Sequence, residues 1–372
     1  MKELNPDSQT DPVGTLDLDA LPLGVASDVS IPVSESYAGI HLRIPVRIIR
    51  GVDPGPTIAV VAALHGDEIN GTGAVRELAT GSELNITSGT LLLVPVLNLL
   101  GFDRHSRYLP DRRDLNRCFP GTPRGSLASR IAYLLFQTLV PRCDAIIDLH
   151  TAAVRRTNFP QIRADMSNRA VAALARAFGG EVVIDCRGVP GTLRRESTAT
   201  GCPTIIFEGG EVWKVEPTIV DTAVRGVKNV LRSHGMLADD AEADPMVLPE
   251  NQLIVHKTSW VRAERGGFMR FHVSPGDIVC KKQVLATNTN LLGDEVGVLV
   301  CPFDGIVIGM TTMPSVSPGE PVCHIAALPA DKTVDGINAR RRGGEELVRQ
   351  TVQDLSSNVR VVDHETQPDT LG

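Results

Sequence analysis

Apolar residues along this chain fall into three kinds of spacing. TIAVVAA (57–63) is a short, continuously apolar run rich in β-branched side chains, the pattern of a strand buried on both faces. GTLLLVPVLN (89–98), DAIIDLH (144–150) and PTIIFEGG (203–210) repeat that pattern. Between them apolar positions recur every three or four residues. LASRIAYLLFQTL (127–139), AVAALARAF (170–178) and IVDTAVRGVKNVLRSHG (219–235) predict amphipathic helices, the last closed by a glycine. A shorter helix is expected over about 72–78. HLRIPVRIIRG (41–51) alternates with period two, as a strand does, and a DPGP turn follows. Strands alternating with helices predict an α/β fold with a mostly parallel or mixed sheet flanked by helices.

The pattern changes after Leu237. ADDAEADP (238–245) reads as an acidic linker, and Leu253 to Ala327 carries short β-type runs, frequent glycine turns and almost no helix signal. The expected organisation is an N-terminal arm over 1–35 and a first domain over 36–245. A smaller all-β, barrel-like domain follows over 246–328, then a peripheral tail over 329–372 with one short helix in EELVRQTVQDL.

Composition narrows the function. The 372 residues are 42% hydrophobic and 22% charged, ordinary for a soluble protein. The formal charge, 37 − 44 = −7, argues against a broad nucleic-acid-binding face. The seven cysteines are odd in number and contain no CxxC pair, which favours reduced thiols and a cytoplasmic location. The first residues are polar and acidic without an apolar stretch, and no run approaches the ~20 apolar residues of a membrane span. Neither a membrane nor a nucleic acid is therefore expected as a partner. A homo-oligomer stays open.

In open α/β sheets, ligands gather at the carboxyl ends of the strands. His65, His150 and Glu208 each end an apolar run. In His65-Gly-Asp-Glu68, an imidazole and a carboxylate three apart in the turn leaving a strand can face one metal, and His150 supplies a third ligand. Asp148 shares a strand face with His150 and can orient a ligand. The segment RYLPDRRDLNRCFPG (107–121) holds Arg107, Arg112, Arg113 and Arg117 with Asp111, Asp114 and Asn116, which suits a clamp for an anionic substrate end. An RNA-binding loop would want more aromatics than Tyr108 and Phe119. Glu208, followed by two glycines, is placed to exchange a proton as general base and acid, with Glu211 as a rival.

HGDE, DLNRCFPG, DLH and FEGG, in this order and spacing, resemble the succinylglutamate desuccinylase/aspartoacylase family of the zinc carboxypeptidase superfamily, over roughly residues 36–330. The resemblance implies a zinc-carboxypeptidase-like sheet and one Zn²⁺ per chain held by His65, Glu68 and His150. It implies Glu208 as catalytic acid/base, Asn116 and Arg117 as ligands of the substrate carboxylate, and Asp114 as a brace for His65. Arg107 matches an arginine that binds substrate and polarises the scissile carbonyl, and either Arg194 or Arg195 matches another substrate-binding arginine. VSPGDIVCKKQVLA (273–286) and CPFDGIVIG (301–309) are similar to biotinyl/lipoyl-type barrels, but residues 284–300 contain no lysine to carry such a group. In the family this β domain borders the active-site entrance. His324, in VCHIA, reads as structural.

The implied activity is zinc-dependent hydrolysis of the amide in a small N-acyl amino acid or related carboxylate-bearing amide. Alternatives are a metallocarboxypeptidase acting on short peptides and a non-catalytic ligand-binding protein on the same fold.

Overall fold

Ile58 to Leu64 have almost no solvent exposure, because their strand lies inside a sheet covered on both faces. The computed structural model describes residues 16–35, 41–81, 84–237, 252–342 and 346–356, so the expected acidic linker over 238–245 lies outside the described residues. The strands before it are β1 (Ala26–Glu35), β2 (His41–Arg50), β3 (Asp53–Ala62), β4 (Ser88–Val94), β5 (Ala145–His150), β6 (Arg156–Ala164), β7 (Val182–Asp185) and β8 (Thr204–Gly210). The helices among them are α1 (Asn70–Thr80), α2 (Leu99–Phe102), α3 (Leu127–Leu139), α4 (Arg169–Phe178), α5 (Leu193–Ala199) and α6 (Pro217–Ser233). Strands β4, β3, β5 and β8 run parallel at the centre, while β2 and β1 extend one side antiparallel and β6 extends the other. The mixed sheet flanked by helices matches the expected fold class.

Alternate residues of β3 serve opposite layers. Ile58 and Val60 belong to the core layer that includes Val75 of α1, Leu174 of α4 and Val227 of α6, whereas Ala59 and Val61 belong to the layer that includes Ile131 and Leu135 of α3. Each fully buried Val or Ile contributes about 1.5–3 kcal/mol relative to exposure. Caps fix where helices begin: the Ser126 side chain accepts from Ser129 N at α3, and Asn168 accepts from Ala170 N and Val171 N at α4. Helix α4 ends on Gly179 at φ 82°, a left-handed position suited to glycine.

Three features differ from the sequence reading. Within the expected arm, Ala26–Glu35 forms β1, paired antiparallel along β2. The later strands, β9 (Leu253–Val255), β10 (Thr258–Arg262), β11 (Gly267–Phe271), β12 (Ile278–Val279), β13 (Val284–Thr289), β14 (Glu295–Val300), β15 (Gly305–Thr311), β16 (Ser315–Val316) and β17 (Pro321–Ala327), are all-β as expected, but they divide between two sheets. Strands β11, β13, β14 and β16 form a small antiparallel sheet, whereas β15, β17, β10, β12 and β9 join the main sheet, with β15 bonded directly to β6. The tail contains α7 (Val334–Arg342) as well as the expected helix, α8 (Glu346–Ser356). Arg341 ties α7 down through Glu181, at 2.8 and 2.9 Å, and through the Gly276 carbonyl at 2.6 Å.

Candidate active site

Strands β3, β5 and β8 are adjacent and parallel, and His150 is in register with Glu208 on the neighbouring strand. The chain leaves β3 through Ala63 at φ 46° and turns so that Glu68 N donates to the His65 carbonyl at 3.1 Å. Gly66 makes this turn feasible. A β-carbon there would lie 2.0 Å from the Gly101 carbonyl carbon and 2.1 Å from Phe102 N. Gly66→Ala is expected to cost about 1–3 kcal/mol and to displace His65. Denaturant unfolding combined with a metal-binding titration checks both effects.

Glu68 sits between the two histidines. Its Oε1 is 2.7 Å from His65 Nδ1, and its Oε2 is 2.8 Å from His150 Nδ1 and accepts from Thr151 N at 3.1 Å. All three side chains are buried, with one ligand atom from each lying within 4.8 Å of the others. The outer ring nitrogens also face carboxylates. His65 Nε2 is 3.1 Å from Asp114 Oδ1. His150 Nε2 is 2.9 Å from Asp148 Oδ2, a charge contact rather than an aligned hydrogen bond. Asp148 is wholly buried.

Burial opposes charge on each of these groups, and mutual attraction outweighs it. Glu68 is held well below the usual carboxylate range against burial, by His65 and His150. Burial lowers the pKa of His150, but Asp148 and Glu68 raise it well above the ordinary imidazole value; His65 is raised in the same sense by Glu68 and Asp114. Protons are thus retained on imidazoles surrounded by carboxylates, where a divalent cation would satisfy the same field. Two nitrogens and a carboxylate oxygen converge from inside while carboxylates steady the rings from outside, a donor set that fits a catalytic metal. His65, Glu68 and His150 form a metal-binding group.

This group opens into a cavity of about 630 Å³. Arg107, Arg117, Arg156, Arg163, Arg187 and Arg194 line it, against only Glu68 and Glu208 among acidic residues, so the wall is strongly cationic. Arg107 donates to Asp114 Oδ2 at 2.8 Å and to Glu68 Oε1 at 3.2 Å, at the edge of the metal group. Asp114 also caps the short 3₁₀ turn Leu115–Arg117 by accepting from Asn116 N. Asn116 Oδ1 accepts from Leu193 N at 2.9 Å, joining that turn to α5. Arg117 donates to the Asn116 carbonyl and lines the cavity. Of the two candidate arginines on α5, Arg194 lines the cavity and donates to the Cys186 carbonyl, whereas Arg195 is outside the lining and donates to the Gly188 carbonyl.

Glu208 carries partners that the sequence reading missed. Arg163 approaches it at 2.8 and 3.1 Å and Asn158 donates at 2.9 Å, both from antiparallel β6. The signal was polar side chains within the otherwise apolar RTNFPQIRA, but their partner is a strand 45–50 residues away. The rival Glu211 is outside the cavity lining, held by Thr312 at 2.8 Å and Lys214 at 2.6 Å. Trp260 and His324 line the cavity from β10 and β17, where they are cross-strand partners stacked at 4.4 Å with 9° between planes.

His324 is 8% exposed, and its pKa is pushed down to about 4 by burial and then by Arg163 and Arg156. The folded protein therefore prefers neutral His324. That preference contributes stability above the unfolded value of 6.5 and is lost as pH falls toward 4. The loss is expected to reach at most about 3 kcal/mol. Denaturant unfolding across this range should show a flatter profile for His324→Gln. Equal slopes for the two proteins would assign the loss to other groups.

A metal-binding group at the ends of parallel strands, open to a cationic cavity, defines a metal-dependent hydrolase. Residues 54–234 match the model of the succinylglutamate desuccinylase/aspartoacylase catalytic domain, and that stretch of the chain belongs to this family of deacylases. Over 316 residues the chain is 27% identical to an N-alpha-acetyl-L-2,4-diaminobutyric acid deacetylase from Halomonas elongata, covering 80% of this chain and 90% of the relative. It is similar to the product-bound ectoine utilization protein EutE (DoeB) from Ruegeria pomeroyi, at 25% identity and TM-score 0.70 over 83% of this chain and 97% of that one. A succinylglutamate desuccinylase/aspartoacylase from Rhodobacter sphaeroides superposes with 25% identity and TM-score 0.69, over 82% and 96% of the two chains. Among the described residues no helix is long and apolar enough to cross a membrane.

Proposed function

We propose that this chain is a zinc-dependent deacylase that hydrolyses the amide bond of a small, carboxylate-bearing N-acyl amino acid. The observation that carries this reading is the convergence of His65, Glu68, His150 and Glu208 on one arginine-walled cavity. The Halomonas relative, named for deacetylating an N-acetylated amino acid, supports the substrate class.

Zinc is the metal assigned to His65, Glu68 and His150, one ion per chain, and when bound it would supply Lewis-acid polarisation and a lowered pKa for water. Asp114 and Asp148 hold the outer nitrogens of the two imidazoles, so that Nδ1 of each faces inward. Asn116 and Arg117 take the substrate carboxylate, with Arg194 beside them on α5. Arg195 is assigned no substrate contact. Arg107 directs its guanidinium toward the carbonyl oxygen of the scissile amide, where negative charge develops. Glu208 removes a proton from the attacking water and delivers one to the departing nitrogen. Asn158 and Arg163 fix the position of the Glu208 side chain before substrate enters.

A peptidase would need a groove open along the substrate. Trp260 and His324 instead wall the cavity, which favours a small molecule. The test is amine release from a panel of N-acyl amino acids and short peptides, run with zinc-loaded and chelator-treated protein. Zinc-dependent cleavage confined to acyl amino acids supports the reading. Cleavage of peptides alone would replace it with the carboxypeptidase reading, and zinc binding with no cleavage would favour a binding protein.

A further inference from the structure

We propose that the outer face of the small antiparallel sheet is a docking surface for a second copy of this chain. The inner face is covered, because Met269, Phe271, Ala286 and Leu299 belong to one buried cluster. Strand register defines the opposite face. Phe268 of β11 pairs with Thr289 of β13, and Thr289 with Glu295 of β14, which makes one row. Arg270, Thr287 and Val298 make the next row. Phe268 is 41% exposed, Val298 47% and Val300 45%. A sheet face left to solvent alternates to polar side chains; this one presents apolar ones, as interaction surfaces do.

The apolar surface continues at the hairpin joining β13 to β14, where Leu291 and Leu292 are 86% and 90% exposed. Asn290 Oδ1 accepts from Leu292 N and Asp294 N, and its Nδ2 donates to Asp294 Oδ2, each at 2.9 Å. A turn fixed in this way loses little ordering entropy on contact. It is also the hairpin on which a biotinyl- or lipoyl-type barrel would carry its lysine, and residues 284–300 hold none.

Charge selects the occupant. Arg270 and Glu295, both exposed, make no hydrogen bond or ion pair among the described residues. They occupy opposite corners of the outer face, in adjacent rows and two strands apart, with Phe268 and Val298 at the other corners. A two-fold axis lying in the face along the Phe268–Val298 diagonal exchanges the two charged corners. Each Arg270 then meets Glu295 of the second copy, while Phe268 meets Phe268 and Val298 meets Val298. The strands of the two sheets cross near a right angle, one of the two ways in which sheets pack face to face. An unrelated partner would have no reason to match this internal symmetry.

Sedimentation velocity and light scattering on the full-length protein read the association directly. Wild type is expected to show a concentration-dependent rise to the mass of two chains. Val298→Glu sets like charges together on the axis and should weaken association about 100-fold or more. Arg270→Glu, opposed by Glu295, should weaken it about 10-fold or more. Adding Glu295→Arg to that variant should restore association to within about threefold of wild type. Restoration by a second substitution also excludes misfolding as the cause of the first loss. A wild type that keeps the mass of one chain up to about 100 µM overturns the proposal. A dimer that neither Val298→Glu nor Arg270→Glu weakens overturns it as well, and failure of the exchanged pair to restore association overturns the two-fold arrangement.

Discussion

Glu208→Gln is expected to leave the metal in place and to lower kcat by about three orders of magnitude, within the range general acid–base catalysis supplies. Glutamine preserves the shape of the side chain and its contact with Asn158 but cannot carry a proton between water and the leaving nitrogen. The loss should fall on kcat with KM changed little, because Asn116 and Arg117, proposed to take the substrate carboxylate, are on other elements. Arg163, freed of its ion pair with residue 208, would be the main structural disturbance. Metal content and thermal unfolding therefore accompany the kinetics. A metal-loaded, folded variant retaining a tenth of the wild-type rate would remove Glu208 from the proton-transfer role.

Glu68→Gln should act earlier, on metal retention itself. Glu68 faces both histidines, so its loss removes one ligand and the charge that steadies the other two. Asp148→Asn keeps all three ligands and weakens only the outer support of His150. Loss of such an outer partner typically costs about 10- to 100-fold in metal affinity. The Glu68 variant is expected to exceed that range, while Asp148→Asn should fall within it. Competition against a chromophoric chelator measures both. Zinc affinity in wild type should also weaken as pH falls, since the raised His65 and His150 must release their protons to bind metal. Unaltered affinity in Glu68→Gln would remove the metal from this position.

The central strands were legible because burial on both faces demands uninterrupted apolar runs, and His65, His150 and Glu208 broke those runs at one end of the sheet. The adjacency of β3, β5 and β8, by contrast, is a property of the folded sheet. Strand β1 escaped notice because serines and a proline dilute its alternation, and an edge strand buries little. Arg163 and Asn158 were missed because their partner lies across an antiparallel pairing that no local pattern encodes. The apolar neighbours of His324 in VCHIA suit a structural residue, whereas its stack with Trp260 depends on the β10–β17 register. Arg194 and Arg195 could not be separated because neighbouring helical positions differ only in direction, about 100° apart around the axis. Helix α7 carries few apolar residues and docks through Arg341 and Glu181.

Strand β6 has one edge on β8, which carries Glu208, and part of its other edge on β15. Residues 253–327 are therefore not a bead that a gene fusion could add or remove at will. Cutting them away would strip β15 from Arg156, Thr157 and Asn158 and bare a raw sheet margin open to pairing with other chains. Truncation at the 238–251 connection should accordingly yield aggregates instead of a simplified hydrolase. Recombination among relatives has to exchange β6 and β15 as one piece if the product is to stay in solution.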